Sequence, residues 1–186
     1  MNKRYRTARH ANERTSDEAL WGRFLLPVLV LACGLAFAAP VTAQPSAIFL
    51  VRHAERAATS GHVPSDTGLS QAGHERAQHL AQELRDAQIS TIFTSEYKRT
   101  QETAAPLAQL SGIQPEVVPG DGIRSLVAKI KAAHGNVLVV GHSNTLPQII
   151  AALGVSSRVT VPESDYDNLF VVLPDRNMQL VRLHYR

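Results

Sequence analysis

The chain has a single cysteine, Cys33, in 186 residues, and it lies in an apolar run near the N-terminus. The rest of the sequence therefore has neither a disulfide nor a thiol nucleophile, even in an oxidising compartment. It also lacks a surplus of one charge. The formal balance is +3, but residues 44–186 hold 13 basic and 13 acidic side chains, so the excess belongs to the N-terminal segment. Nucleic-acid binding needs positive charge gathered on the folded domain, so no nucleic-acid partner is expected. Internal repeats and low-complexity stretches are missing after residue 44, which excludes repeat architectures and long disordered tails. What remains is an ordinary globular composition, 44% apolar and 19% charged, in a chain long enough to bury one full core.

Residues 1–43 read differently from the rest. Basic residues (Lys3, Arg4, Arg6, Arg9, Arg14, Arg23) lead into Phe24–Ala39, sixteen residues without a charge, and Val41-Thr42-Ala43 offers small residues for cleavage before Gln44. This is the pattern of a signal peptide. The other reading is an uncleaved membrane anchor, although a spanning helix wants about 20 apolar residues and this run is shorter and contains Pro27. Val30-Leu31-Ala32-Cys33 resembles a lipoprotein cleavage site only weakly, because Leu31 fits it poorly. Both main readings place 44–186 outside the cytoplasm, periplasmic or secreted, or anchored in the inner membrane and facing the periplasm, because the positive flank stays inside. A membrane partner is expected only for the anchor.

Residues 44–186 alternate strand-like and helix-like segments. Ala47–Val51 is a short apolar run ending in a charged pair, as a buried strand would. Residues 57–68 read as a loop. Ser70 can cap a helix running to about Ala87, with Ala72, Ala77, Leu80, Ala81 and Leu84 on its inner face. A strand at 91–94, a helix at 98–110, a short strand at 116–118 and a helix at 123–134 with Gly135 as its stop signal follow. The clearest strand is 136–140, and a helix at 145–153 comes next. Residues 169–173 and 178–184 form a hairpin about the turn Pro174-Asp175-Arg176-Asn177. This order implies an α/β fold, a three-layer α/β/α sandwich with a mostly parallel mixed sheet and an antiparallel hairpin near the C-terminus.

In such sheets ligands sit beyond the carboxyl ends of the strands. Arg52-His53, the segment that ends in Arg99, and His142 each follow a predicted strand, so two arginines and two histidines are expected at one edge. Guanidinium groups match phosphate bidentately and stay charged at any working pH. A neutral imidazole can attack phosphorus without a metal. His53 is thus expected as the nucleophile, with Arg52, Arg99 and His142 on the phosphate oxygens and N–H groups of the helix beginning at Thr145 directed at the same anion. A zinc site built from His53, Glu55 and His142 is the competing chemistry. The adjacent Arg52 opposes it, and neither metal nor cofactor is expected.

Four segments in order carry a resemblance. They are Leu50-Val51-Arg52-His53-Ala54-Glu55, Asp66-Thr67-Gly68-Leu69-Ser70-Gln71-Ala72-Gly73, Thr94-Ser95-Glu96-Tyr97-Lys98-Arg99-Thr100-Gln101-Glu102-Thr103-Ala104 and Val139-Val140-Gly141-His142-Ser143-Asn144. Together they resemble the histidine phosphatase superfamily, also called phosphoglycerate mutase-like, over roughly 46–185. The resemblance implies that 44–186 is one histidine phosphatase domain. It further implies that His53 is phosphorylated, that Arg52, Arg99 and His142 complete the phosphate pocket, and that Ser143 and Asn144 lie where the family's loop continues. Arg56 either adds a third guanidinium or is a surface arginine. The mutases' acidic proton donor has no clear counterpart, so Glu55 and Asp121 are the candidates for that role.

The expected substrate is a small phosphorylated molecule or a cell-envelope phosphate. A non-catalytic phosphate-binding protein, a phosphohistidine-protein phosphatase and a mutase are the alternatives. Residues 163–167, ahead of the hairpin, read as a solvated loop, the commoner explanation, with closure over the pocket as the alternative.

Overall fold

The computed structural model describes residues 45–58 and 66–185. The signal-peptide or anchor segment lies outside the described residues. Among those described, no helix is long and apolar enough to cross a membrane.

The described residues form six strands and four α-helices, which alternate as far as the fifth strand. They are β1 (Pro45–Arg52), α1 (Gln71–Leu84), β2 (Ile89–Thr94), α2 (Lys98–Ser111), β3 (Glu116–Val117), α3 (Ile123–Ala132), β4 (Gly135–Gly141), α4 (Leu146–Leu153), β5 (Asn168–Leu173) and β6 (Gln179–His184). The sheet order is β3-β2-β4-β1-β5-β6. β1 to β4 are mutually parallel, whereas β5 runs antiparallel to β1 and β6 antiparallel to β5.

The two-residue period of the strands divides the core into two layers. Ile48, Leu50, Val137, Val139, Phe170 and Val172 face α3 and α4, packing on Ile130, Ile149 and Ile150. Their alternates Val51, Leu138, Val140, Leu169 and Val171 face α1 and α2, against Leu80, Leu84 and Leu107. This is the three-layer α/β/α arrangement expected from the alternation of elements. Both faces of the central strands are covered, which is why they read as continuous apolar runs rather than alternating ones.

Three local expectations need correction. α1 ends at Leu84 rather than near Ala87, and Gly73 rather than Ala72 is on its buried face. Ser70 does cap it, accepting from the Gly73 N–H at 3.1 Å. Gly135 is not the cap of α3, which ends at Ala132 with an extended Ala133 after it. Gly135 instead opens β4 at φ +74°, a left-handed conformation that favours glycine.

Candidate active site

Register explains why distant residues meet. Arg52 at the end of β1 is paired with Gly141 at the end of β4, and Thr94 at the end of β2 is paired with Val140. His53, Ser95 and His142 are the next residues along three adjacent parallel strands, so they emerge side by side. The His53 N–H carries the ladder one step further, donating to the Gly141 carbonyl at 2.9 Å. The two imidazoles stand edge to face with centroids 5.3 Å apart. They line a cavity of about 1030 Å³ with Arg52, Arg56 and Arg99, and with Ser143, Asn144 and Asp121 on other parts of its wall.

The state of His53 follows from one hydrogen bond. Its Nδ1 lies 2.8 Å from the Ala54 carbonyl. A carbonyl only accepts, so Nδ1 carries the proton and Nε2 keeps its lone pair. Burial, and then the nearby His142, Arg99 and Arg52, push the pKa down to about 3, while the Ala54 bond opposes that shift. Near neutral pH the ring is therefore uncharged and able to attack an electrophile. The turn that follows is held from α2: the Ala54 N–H donates to Thr103 Oγ1 at 2.9 Å, and that hydroxyl donates to the Arg99 carbonyl. The Glu102 carboxylate accepts from the Leu69 N–H at 2.7 Å. Gly73 lets α1 approach this turn closely, because a Cβ there would stand 2.2 Å from the Glu55 carbonyl oxygen.

His142 is fixed differently. Its Nε2 is 3.0 Å from the buried Ser95 hydroxyl, its N–H donates to Thr145 Oγ1, and the Tyr97 ring stands edge-on 5.3 Å away. Burial first, then Arg99, lower its pKa to about 4. Tyr97 also supports Arg99, whose guanidinium carbon lies 4.2 Å over the phenol ring. Burial and the charge on Arg56 lower the pKa of Arg99.

Arg52 is almost fully buried, 2% exposed, and is gripped by a segment the sequence reading left as a solvated loop. Its Nη1 donates to the carbonyls of Pro162 (3.2 Å), Glu163 (2.6 Å) and Asp165 (3.4 Å). Its Nη2 donates to Glu163 Oε2 at 2.6 Å, and the Tyr166 ring stacks 4.1 Å from the guanidinium carbon. The Ser143 hydroxyl donates to the other oxygen of Glu163. That bond, followed by Arg52, Arg56 and His53, holds the Glu163 carboxyl below its usual range. Arg52 Nε is buried without a hydrogen bond among the described residues.

Of the two expected proton donors, only Asp121 lines the cavity. Glu55 is bound to Arg76, with both carboxylate oxygens on its Nε at 2.8 and 3.0 Å, and lines a separate hollow beside α1. The N–H groups of Thr145 and Leu146 donate to the His142 carbonyl and so are committed to the turn. Sequence reasoning missed Ser95, Tyr97 and Glu163. Ser95 and Tyr97 lie inside a quoted motif, beside Arg99. For Glu163 the signal was strand direction, since a strand antiparallel to β1 must begin at the edge where β1 ends.

A neutral imidazole with an open Nε2, three guanidiniums and a second imidazole share one cavity at the carboxyl ends of parallel strands of an α/β protein, an arrangement suited to an anion. Residues 48–120 match the model of the histidine phosphatase superfamily (branch 1). Among curated relatives, a protein described as a probable phosphatase from Schizosaccharomyces pombe is 40% identical over 75 residues, which is 38% of this chain and 34% of that one. Matches to curated relatives are partial throughout, spanning 9% to 37% of the relatives' lengths. Solved structures agree in fold. The protein histidine phosphatase SixA complexed with tungstate aligns with a TM-score of 0.59 at 19% identity, over 75% of this chain and 95% of that one. A mycobacterial glucosyl-3-phosphoglycerate phosphatase gives 0.58 at 16% identity, over 75% and 98%.

Proposed function

We propose that this chain is a metal-independent phosphatase that hydrolyses phosphoesters through a phosphohistidine on His53. The observation that carries this reading is the hydrogen bond from His53 Nδ1 to the Ala54 carbonyl, which leaves Nε2 as a lone-pair nucleophile in a cavity ringed by Arg52, Arg56 and Arg99. Nε2 attacks phosphorus, the guanidiniums and His142 stabilise the equatorial oxygens, and water then releases phosphate. Ser143 and Asn144 complete the wall on the α4 side. Metal independence is supported by the crowding of positive charge from Arg52, Arg56 and Arg99, which repels a cation.

The substrate is a small phosphorylated molecule or a cell-envelope phosphate, met outside the cytoplasm after export by residues 1–43. The relatives' names support phosphate-ester chemistry and leave the leaving group open. One observation favours a second reading, a phosphate-ligand binding protein without turnover: Glu55, an expected acid, is committed to Arg76.

Incubating the purified protein with 4-nitrophenyl phosphate in EDTA separates the readings. The phosphatase predicts turnover that survives the chelator and disappears in His53→Ala. Phosphate binding without turnover on a broad phosphoester panel would establish the binding protein instead. Mass spectrometry of the mature N-terminus tests export, with cleavage before Gln44 as the expected result and an intact Met1 as the contrary one.

A further inference from the structure

The leaving group of a phosphoester must receive a proton, and Glu55 is committed to Arg76. Glu96, Asp121 and Glu163 line the cavity without a hydrogen bond to either imidazole, which bond Ala54 and Ser95 instead. A buried hydroxyl chain behind His142 supplies an answer that rests on the phosphatase reading. Ser95 Oγ lies 3.0 Å from His142 Nε2 and 3.0 Å from Thr100 Oγ1. Thr100 Oγ1 in turn lies 2.8 Å from the Tyr97 carbonyl and 3.0 Å from the Ser95 carbonyl. Ser95 and Thr100 are buried, so water does not complete the network.

Counting protons gives the chain a direction. Carbonyls only accept, so the one proton of Thr100 belongs to a carbonyl contact. The proton of Ser95 then fills its contact with Thr100 Oγ1, because directing it to His142 would leave two buried hydroxyl oxygens 3.0 Å apart with no hydrogen between them. The remaining contact, between Ser95 and His142, has a proton only if Nε2–H donates it. The reverse order would leave Thr100 facing two carbonyl oxygens with no hydrogen between, a buried arrangement that costs free energy. The resting, neutral His142 is thus the Nε2–H tautomer. Its Nδ1 makes no hydrogen bond among the described residues, and His142 lines the cavity.

We infer that His142, oriented by Ser95 and Thr100, is the proton carrier to the leaving group, loaded by the substrate's own proton. A phosphate monoester binds as its monoanion and passes its acidic proton to Nδ1. Arg99 and Arg52 oppose the charge of the resulting imidazolium, Glu96 and Glu163 favour it, and His53 and Tyr97 stand against its ring. His53 Nε2 forms its bond to phosphorus as the P–O bond to the leaving group breaks. The electron pair stays on the leaving oxygen, which takes the proton from Nδ1 and departs as an alcohol. His142 is then neutral and accepts a proton from the attacking water as the P–N bond breaks, its electrons returning to Nε2. That proton leaves with inorganic phosphate. Monoester monoanion and water enter, alcohol and dihydrogen phosphate leave, and no external acid is consumed. Ser95 is a positioning residue, since it acts through His142.

Two measurements on the full chain test this. Nitrogen-15 NMR of the histidine rings reads the tautomer without requiring turnover, so it is independent of whether the protein is a phosphatase. The expected result is Nε2–H, bare Nδ1 in the phosphate-free protein, and protons on both nitrogens of His142 when inorganic phosphate binds near pH 6. A resting Nδ1–H tautomer would overturn the proposal. The second measurement compares an alkyl phosphate with 4-nitrophenyl phosphate, whose leaving group needs little help. Ser95→Ala and His142→Gln should lose kcat on the alkyl ester by about 10²- to 10⁴-fold and far less on the aryl ester, and Ser95→Thr should recover part of the loss. Equal losses on both esters would reduce His142 to a phosphate clamp and sink the proposal.

Discussion

The guanidinium of Arg52 and the carboxylate of Glu163 meet at 2.6 Å, 111 residues apart in sequence, at the edge where phosphate is expected to bind. One partner is buried and the other is 77% exposed. β5 brings them together by running antiparallel to β1, which returns the chain to the carboxyl end of the parallel strands. An anionic side chain thus occupies donors that a phosphate would use, and substrate must displace or share them.

Removing that charge should improve anion binding. Glu163→Gln is expected to tighten inorganic phosphate about three- to tenfold, the scale of an exposed ion pair of roughly 1 kcal/mol, as read by isothermal titration calorimetry. Weaker binding would show instead that Glu163 organises Arg52 for the anion.

Acidification should loosen the ligand-free fold. His53 and His142 titrate near 3 and 4 when folded, against 6.5 for an ordinary histidine. Between these values the unfolded chain binds more protons, so stability is fully present above about pH 6.5 and falls as pH drops through 4 towards 3. The melting temperature should decline over that window, less steeply in His142→Gln. Saturating phosphate should flatten the decline at pH 5–6, because a bound anion favours the imidazolium. A melting temperature indifferent to phosphate there would argue against an anion beside His142.

The turn after His53 should depend on close packing. Gly73→Ala places a methyl 2.2 Å from the Glu55 carbonyl oxygen, which the backbone can relieve only by moving. A loss of about 1–3 kcal/mol is expected in urea denaturation. Thr103→Val leaves the Ala54 N–H buried without an acceptor and should cost a similar amount. Both changes should also lower turnover, since each disturbs the residues next to the nucleophile.

The fold was largely legible because its signals are local. Buried runs such as Asn136–Val140 and the Ser70 cap declare themselves over a few residues, and the order of elements sets the layers. His53, Arg99 and His142 could be grouped for the same reason, since each follows a strand of a parallel sheet. What could not be read was lateral order. Nothing local says that β5 lies beside β1, so the contact of Glu163 with Arg52 stayed hidden. Glu55 failed to reach the cavity for a related reason: one residue past Ala54 the chain turns towards α1, and Arg76 claims its carboxylate.

The central claim is that Nε2 of His53 forms a bond to phosphorus. Rapid quenching of the protein during turnover of a phosphoester, followed by peptide mass spectrometry under alkaline conditions that preserve phosphohistidine, tests it directly. The account predicts one phosphoryl group on Nε2 of His53, absent from His53→Ala. Turnover with no phosphorylated His53, or with the phosphoryl group on another residue, would contradict it.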